Sequence, residues 1–217
     1  MIRPGLLACF PCLVLAASLH AAVDNDFVHV IQAQVQPHVK GTLHRHEFNR
    51  VIVALDAGEL TTTYEDGRKE VLHMKAGDAS WAPAAGMHVS ENTGARPLRL
   101  VEVEIKKPAP AAPPPRNPAL DPVALDPRHN ILLFENPQVR VFRSWREPGG
   151  IEKMHQHAGA GRLSILLTDA DAEVRSPDGS VTPLHAAAGD ALWSGPVTHA
   201  TKNTGPRRLE MIVIEVK

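Results

Sequence analysis

The feature that most constrains the fold of this chain is an internal repeat with a period of about 111 residues. Residues 76–81 read AGDASW and residues 188–193 read AGDALW, and the same turn sequence Asn-Thr-Gly stands at 92–94 and at 203–205. Histidines, arginines and leucines recur between these segments in one order. Because repeated sequence predicts repeated structure, we expect two copies of one small domain within the 217 residues.

Each copy has the pattern of short strands separated by turns. Val51, Val53 and Leu55 alternate with other residues, as do the corresponding residues of the second copy. Asp-Gly pairs at 66–67 and 178–179 lie between strand-like runs, and this pair is a strong hairpin signal. No long helical pattern is present. The sequence therefore predicts an all-β fold in which each copy closes into a barrel or sandwich.

The chain divides into four predicted segments. Residues 1–22 combine Arg3, a short apolar run and small residues, as in a signal peptide, and a lipoprotein signal ending at Cys9 is the weaker alternative. Barrel domains are predicted at 23–106 and 128–217, joined by a proline-rich linker at 107–127. Cys9 and Cys12 both lie in the leader, so the mature protein is expected to lack thiols, as suits an oxidising compartment. We expect a secreted, periplasmic protein.

Charge and hydropathy exclude two classes of partner. The net charge of −1 offers no basic footprint for nucleic acid. The apolar run of the leader is too short to cross a bilayer, and no second such run follows, so no membrane span is expected.

Histidines mark the candidate site of each copy. His44 and His46 are two residues apart, so on a strand both imidazoles project from one face, and His88 follows from a distant strand. The second copy repeats the arrangement. Three neutral imidazoles on one face suit a divalent transition metal such as Fe, Mn, Ni or Zn, with further coordination positions left open. The six predicted metal ligands are His44, His46, His88, His155, His157 and His199.

These motifs resemble those of the cupins, a superfamily of small conserved barrels, over nearly all of the predicted mature chain. Residues 41–46 (GTLHRH) fall in the first cupin motif and residues 77–92 in the second, with Gly86, Pro83, His88 and Asn92 in place. The second copy matches at 189–203. The resemblance implies two tandem double-stranded β-helix (jelly-roll) barrels, with the histidines lining each barrel mouth.

One departure concerns a glutamate ligand that follows the His-x-His pair in most metal-binding cupins. Counting from the histidines puts Arg50 and Arg162 at that position, where their charge would oppose a metal and favour an anion. Counting back from Gly58 puts Val51 there instead, with Leu163 in the second copy. The second count is favoured because it turns the more apolar face inward, so that the arginines face the other side.

Several repeated or isolated residues have ordinary structural interpretations. Trp81 and Trp193 are expected in the core beneath the mouth. His73 and His185 are expected to face outward, and His29 is expected in solvent.

Three hypotheses for function remain. The first is a metal-dependent enzyme, dioxygenase-like or isomerase-like, acting on a small oxygenated molecule; no catalytic residue and no organic cofactor is assigned. The second is a non-catalytic module that binds a small ligand or metal. The third is a degenerate, metal-free scaffold. In each case the two barrels are expected to pair within the chain or through a homodimer.

Overall fold

The computed structural model describes residues 20–217, with side chains from residue 23 onward. The predicted leader at 1–22 lies outside the described residues, apart from residues 20–22, which open the first strand.

Strands make up both copies of the repeat. Those between residues 20 and 106 are β1 His20–Asp24, β2 Val28–Val35, β3 His44–His46, β4 Asn49–Ala54, β5 Gly58–Tyr64, β6 Lys69–Met74, β7 Ala79–Ala82, β8 Ala85–Asn92 and β9 Leu98–Ile105. Those of the second copy are β10 Asn130–Glu135, β11 Val139–Arg146, β12 His155–His157, β13 Gly161–Leu166, β14 Ala170–Arg175, β15 Val181–Ala186, β16 Ala191–Ser194, β17 Val197–Asn203 and β18 Leu209–Val216.

The described strands form two pairs of antiparallel sheets with the same topology. The five-stranded sheets have the orders β1-β2-β9-β4-β7 and β10-β11-β18-β13-β16. The four-stranded sheets have the orders β3-β8-β5-β6 and β12-β17-β14-β15. The register also repeats, since Arg50 lies opposite Glu104 and Arg162 lies opposite Glu215. The predicted all-β fold of two tandem barrels is confirmed.

The predicted Asp-Gly hairpins join β5 to β6 and β14 to β15. Gly67 and Gly179 adopt φ angles of 81° and 86°, in the left-handed region that a residue without a Cβ enters freely. The turn chemistry read from the sequence therefore sets the register of both hairpins.

The largest apolar cluster lies between the barrels and not inside either of them. It joins β2, β4 and β9 of the first copy to β11, β13 and β18 of the second, so the two five-stranded sheets pack face to face. Val51 and Val53 belong to this cluster, together with Leu163 and Ile165, and Leu55 packs against it. The expectation that these residues face the barrel interior is wrong. Their apolar face is buried because the other barrel covers it.

Each barrel interior contains an apolar cluster that is smaller than the cluster between the barrels. In the first barrel Ile52 and Ala54 pack with Leu60, Leu98 and other residues of both its sheets. In the second barrel Leu166 packs with Leu209. Since strand residues alternate between faces, Arg50, Ile52 and Ala54 share the inward face of β4.

Asn92 and Asn203, predicted as turn residues, close each barrel from within. Both are buried. The amide of Asn92 donates to the carbonyl oxygens of Val35 and Arg96, and the amide of Asn203 makes the two equivalent bonds. These bonds satisfy the carbonyl oxygens at the last residues of β2 and β11 and in the turns that follow the two asparagines.

The segment 107–127 ends in a short 3₁₀ turn, Pro118–Leu120, and one helical turn, Pro122–Leu125. Asp121 caps this helical turn and is buried against Arg140, whose Nη1 lies 2.9 Å from the Asp121 carboxylate. The end of the segment is thereby fixed to the second barrel. None of the helices in residues 20–217 has the length and hydropathy needed to cross a membrane.

Candidate metal centres

The structure brings the three predicted histidines of the first barrel together. β3 carries His44 and His46, and β8 carries His88 directly opposite His44 in the antiparallel register. One ring nitrogen from each of the three lies within 4.8 Å of the others. His46 and His88 are buried, while His44 lies nearer the opening.

The second barrel repeats this geometry in a more enclosed form. His155 and His157 lie on β12, and His199 of β17 is paired with His155. Their ring nitrogens also converge within 4.8 Å, and all three residues are buried. The two-residue spacing along a strand and the antiparallel register together explain why these side chains meet.

Hydrogen bonds fix the orientation of five of the six rings. Nδ1 of His44, His88 and His155 lies 2.8, 2.8 and 2.9 Å from a backbone carbonyl oxygen two residues earlier in the chain. Nδ1 of His46 lies 2.9 Å from Glu104, and Nδ1 of His157 lies 2.8 Å from Glu215. Since carbonyl and carboxylate oxygens only accept, each Nδ1 carries the proton, and the lone pair is on Nε2.

The Nε2 atoms have the environment that a cation requires. Nε2 of His155 and Nε2 of His157 face each other at 2.9 Å. Within the described residues, Nε2 of His88 and both ring nitrogens of His199 are buried without a hydrogen-bond partner. Unpartnered buried nitrogen atoms of this kind are rare unless a ligand satisfies them. The donor set therefore fits a divalent transition metal in each barrel.

Burial lowers the pKa of several of these imidazoles. The pKa of His88 is lowered mainly by burial. The pKa of His157 falls well below 6.5, and that of His199 falls to about 2, in both cases through burial first and then through the charge of Arg162. The neutral form, which is the metal-binding form, is favoured at neutral pH.

The arginines face the barrel interiors, contrary to the favoured sequence prediction. Arg50 is buried and shares a pocket with Ile52 and Glu102. Arg162 lines the cavity that contains His155, His157 and His199. An arginine thus occupies, in each barrel, the position at which most metal-binding cupins carry a glutamate. The sequence argument failed because the apolar face of β4 is buried by the neighbouring barrel.

A carboxylate forms an ion pair with the arginine of the first barrel, although within the described residues Nε and Nη1 of Arg50 make no hydrogen bond of good geometry. Nε of Arg50 lies 2.9 Å from Oε2 of Glu102, and the same oxygen lies 3.6 Å from Nε2 of His46. Sequence reasoning missed Glu102. The repeat itself contains the signal, because the corresponding residue of β18 is Val213.

The arginine of the second barrel has no such carboxylate. Its Nη1 donates to the hydroxyl of Ser164, and within residues 20–217 its Nε is buried without a hydrogen-bond partner. The nearby Glu152 is paired with Arg146 at 2.6 Å, and Glu215 accepts from His157. Burial lowers the pKa of Arg162 from its ordinary value, but a guanidinium remains charged at neutral pH.

The carboxylates that orient His46 and His157 have different outer partners. His29 lies 3.0 Å from Glu104, and at the same register position Arg140 lies 3.4 Å from Glu215. Burial acts to raise the pKa of Glu104, but hydrogen bonds from His29 and His46 lower it overall. Burial raises the pKa of Glu215, which Arg140 only partly offsets. The expectation that His29 is simply solvated is wrong.

Pocket size also separates the barrels. The first opens to a pocket of about 880 Å³ that reaches Arg50 and Glu102 between the β5–β6 hairpin and residues 80–87. The second holds a cavity of about 170 Å³ lined by its three histidines, Arg162 and Ser194. The larger pocket borders Arg50 and Glu102 but none of the histidines of the first triad, whereas the smaller cavity is lined by all three histidines of the second.

Other sequence predictions have mixed outcomes. His73 and His185 face outward, with 76% and 73% of their side chains exposed, as expected. Trp81 and Trp193 pack against the cluster between the barrels, and Trp193 stacks on Phe27. Each tryptophan also lines the pocket of its own barrel, so both lie between that pocket and the cluster that joins the barrels.

Comparison with known proteins identifies the fold. No protein-family model matches the chain, and no curated protein matches it in sequence. AerE from Microcystis aeruginosa matches with a TM-score of 0.67 at 14% identity over 95% of both chains. A cupin 2 conserved barrel domain protein from Leptotrichia buccalis matches with a TM-score of 0.56 at 13% identity, over 94% of this chain and 90% of that one.

A third solved structure that this chain resembles is that of a metal-containing enzyme. Bacillus subtilis oxalate decarboxylase, described with Mn(II) centres, matches with a TM-score of 0.57 at 14% identity, over 88% of this chain and 69% of that one. These likenesses show that the chain has the two-domain cupin fold.

Proposed function

We propose that this protein binds a divalent transition metal at the three histidines of one or both barrels, and that the open coordination positions bind and activate a small oxygenated organic molecule. The observation that carries the proposal is the orientation of the imidazoles. Nδ1 is held by an acceptor in five of the six rings, which leaves their Nε2 lone pairs free, and one ring nitrogen from each histidine of a triad lies within 4.8 Å of the other two. The Mn(II) centres of a protein with the same fold support a metal of this class.

The residues around each triad have separate tasks under this proposal. Glu104 and Glu215 hold His46 and His157 in place and make them stronger ligands. A bound divalent metal supplies Lewis-acid polarisation of an oxygen atom of the substrate. Oε2 of Glu102 lies 3.6 Å from Nε2 of His46, so Glu102 borders the metal site of the first barrel, where it would accept a proton from a substrate hydroxyl or hold that hydroxyl. The first barrel is the better candidate for catalysis because Glu102 both lines the 880 Å³ pocket and lies beside His46 of the triad.

A metal-free scaffold is the second candidate, and the apolar cluster between the barrels favours it. That cluster holds both copies together without help from the histidines. Under this alternative the pairing of the barrels is the functional element, and the triads are remnants.

Metal content per chain distinguishes the two candidates. We expect up to two equivalents of one metal in protein purified without an affinity tag, measured by inductively coupled plasma mass spectrometry. The His44→Ala, His155→Ala double variant should lose it. The matched control is His73→Ala, His185→Ala, which removes two exposed histidines that are also repeated. Metal-free protein that takes up no Fe, Mn, Ni or Zn would overturn the proposal and favour the scaffold.

Export is part of the same proposal. The leader pattern at 1–22 is consistent with secretion to the periplasm. N-terminal sequencing of the protein recovered from the periplasmic fraction should begin near residue 22 or 23. An intact N-terminus in the cytoplasmic fraction would contradict export without affecting the metal assignment.

A further inference from the structure

Within the described residues, no carboxylate forms an ion pair with Arg162 beside the second triad, although Glu152 lines the same cavity. Arg140 is paired with Asp121 and contacts Glu215, and Arg146 is paired with Glu152. Arg162 faces the cavity and feels the charges of Glu152 and Glu215. Those carboxylates are engaged by Arg146 and His157, and neither contacts the guanidinium of Arg162. A buried charge without a counter-charge is costly in free energy, so an anionic partner is expected.

The unsatisfied polar atoms of the second barrel converge on the same cavity. Within the described residues, Nε of Arg162, Oγ of Ser194 and both ring nitrogens of His199 are buried without partners, and all three residues line the cavity. Arginine and serine provide hydrogen-bond donors, so the complementary ligand is an acceptor. Because Ser164 uses Nη1, the Nε edge of the guanidinium remains for a planar carboxylate, which it can bind through two hydrogen bonds.

The first barrel shows what belongs in this place. There the carboxylate of Glu102 lies next to both Arg50 and His46. Val213 replaces Glu102 in the second barrel, and a valine leaves the charge of the arginine without a partner. The second barrel thus keeps the arginine and the triad but lacks the carboxylate between them.

We propose that the second barrel binds a small carboxylate anion between Arg162 and the triad of His155, His157 and His199, in the place that Glu102 takes in the first barrel. The cavity of about 170 Å³ accommodates a molecule of roughly four to six non-hydrogen atoms, at about 30 Å³ per water-sized unit. The proposal deepens the metal-binding function and rests on it in one respect. Bound carboxylate offsets the charge of Arg162 and so strengthens metal binding by this triad.

The first test uses metal-free full-length protein and three probes. Sodium acetate should bind with one equivalent per chain in isothermal titration calorimetry and raise Tm, at an ionic strength held constant with sodium chloride. Acetamide, which has the same size and no charge, should do neither. An equal effect of acetamide, or no effect of acetate, would overturn the proposal.

Reciprocal exchange of one residue locates the anion. Arg162→Gln should weaken acetate binding at least 10-fold, and Val213→Glu should abolish it by supplying an internal carboxylate. Arg50→Gln is the matched control and should leave acetate affinity unchanged. Glu102→Val should create a second acetate site in the first barrel. The Val213→Glu variant gives the second barrel the charge pair of the first, so it remains a usable test if Arg162→Gln does not fold. Acetate binding that persists in Val213→Glu would refute the assignment.

A second arm separates this proposal from the function on which it rests. In a His88→Ala variant, which leaves the second triad intact, acetate should raise the affinity for Mn(II) at least 10-fold. Acetate binding to metal-free protein that never binds Mn(II) would leave the anion site standing and remove the metal function. If Mn(II) bound equally well with and without acetate, and acetate did not bind the metal-free protein, the metal function would stand and the anion site would be overturned.

Discussion

The two barrels present the same three histidines in the same geometry and surround them with different charges. In the first barrel the arginine beside the triad is paired with Glu102, and the pocket is open and large. In the second, valine stands in the place of that glutamate, and the cavity is small and enclosed. The two copies have kept the ligands of the site but not its electrostatics, because one substitution on one strand is enough to change the charge beside the triad.

The two barrels also differ in the residues that contact the carboxylates behind the triads. Glu104, which orients His46, contacts His29. Glu215, which orients His157, contacts Arg140 instead. The pKa of Glu104 is lowered by its hydrogen bonds, whereas burial raises the pKa of Glu215. The pKa values of equivalent carboxylates thus shift in opposite directions, so the two barrels differ in electrostatics as well as in pocket size.

Removing one triad at a time should have the largest effect and should show the divergence directly. His199→Ala leaves the first site, and His88→Ala leaves the second. Loss of a ligand should lower metal affinity at the altered site by more than about 100-fold, given that even the loss of an orienting partner costs about 10- to 100-fold. In acetate-free buffer we expect the remaining site of His199→Ala to bind Mn(II) more tightly than that of His88→Ala. Equal affinities by calorimetry would contradict the electrostatic difference.

Truncation in the cluster between the barrels should affect both barrels equally. Ile165→Ala should lower the free energy of unfolding by about 2–5 kcal/mol, since Ile165 is fully buried there. Hydrogen exchange should show reduced protection in strands of both copies. Leu166→Ala, which removes a side chain from inside the second barrel, is the matched variant. If Ile165→Ala left protection of the first barrel unchanged, the barrels would be energetically independent.

Neutralising the orienting carboxylates should sharpen the comparison. Glu104→Gln keeps an acceptor for His46 but removes the charge, and metal affinity of the first site should fall about 10- to 100-fold. Glu215→Gln should have the smaller effect, because Arg140 already offsets the charge of Glu215. Competition with a chromogenic chelator measures both. A larger effect of Glu215→Gln would reverse the assignment.

The pH dependence of the metal-free protein should give the smallest effect. The pKa of His199 is about 2 in the folded protein, against 6.5 ordinarily. Below about pH 6.5 the unfolded chain therefore takes up a proton that the folded chain refuses. Stability is lost as pH falls, by about 1.4 kcal/mol per pH unit for this residue.

Urea unfolding at pH 7.5 and 5.5 checks this dependence. The loss on acidification should be smaller in His199→Gln than in the unaltered protein. His88→Gln should produce a smaller change than His199→Gln, because the pKa of His88 is lowered less markedly. Identical pH dependence in all three proteins would show that the imidazoles titrate alike in the folded and unfolded chains.

Much of the fold and of the candidate site followed from local rules. The two-residue spacing of His44 and His46 placed both on one face, and the repeat supplied the second cluster independently. The inward direction of Arg50 could not be predicted from the sequence. The alternation of side chains along β4 separates two faces of the strand, but it does not say which face lies inside the barrel and which is covered by the other barrel. Glu102 was not recognised because it lies about 56 residues from His46 along the chain, and only strand pairing brings the two together.

By itself the sequence determined that the chain is two copies of one β domain and that each copy gathers three histidines, because repeats, turn residues and strand periodicity act over short distances. Only the tertiary structure decided which strand face lies inside each barrel. The packing of one five-stranded sheet on the other buries the more apolar face, which leaves the arginines to the interiors. The same packing turns Glu102 and Val213 inward, so this one sequence difference becomes a difference in charge beside the two triads.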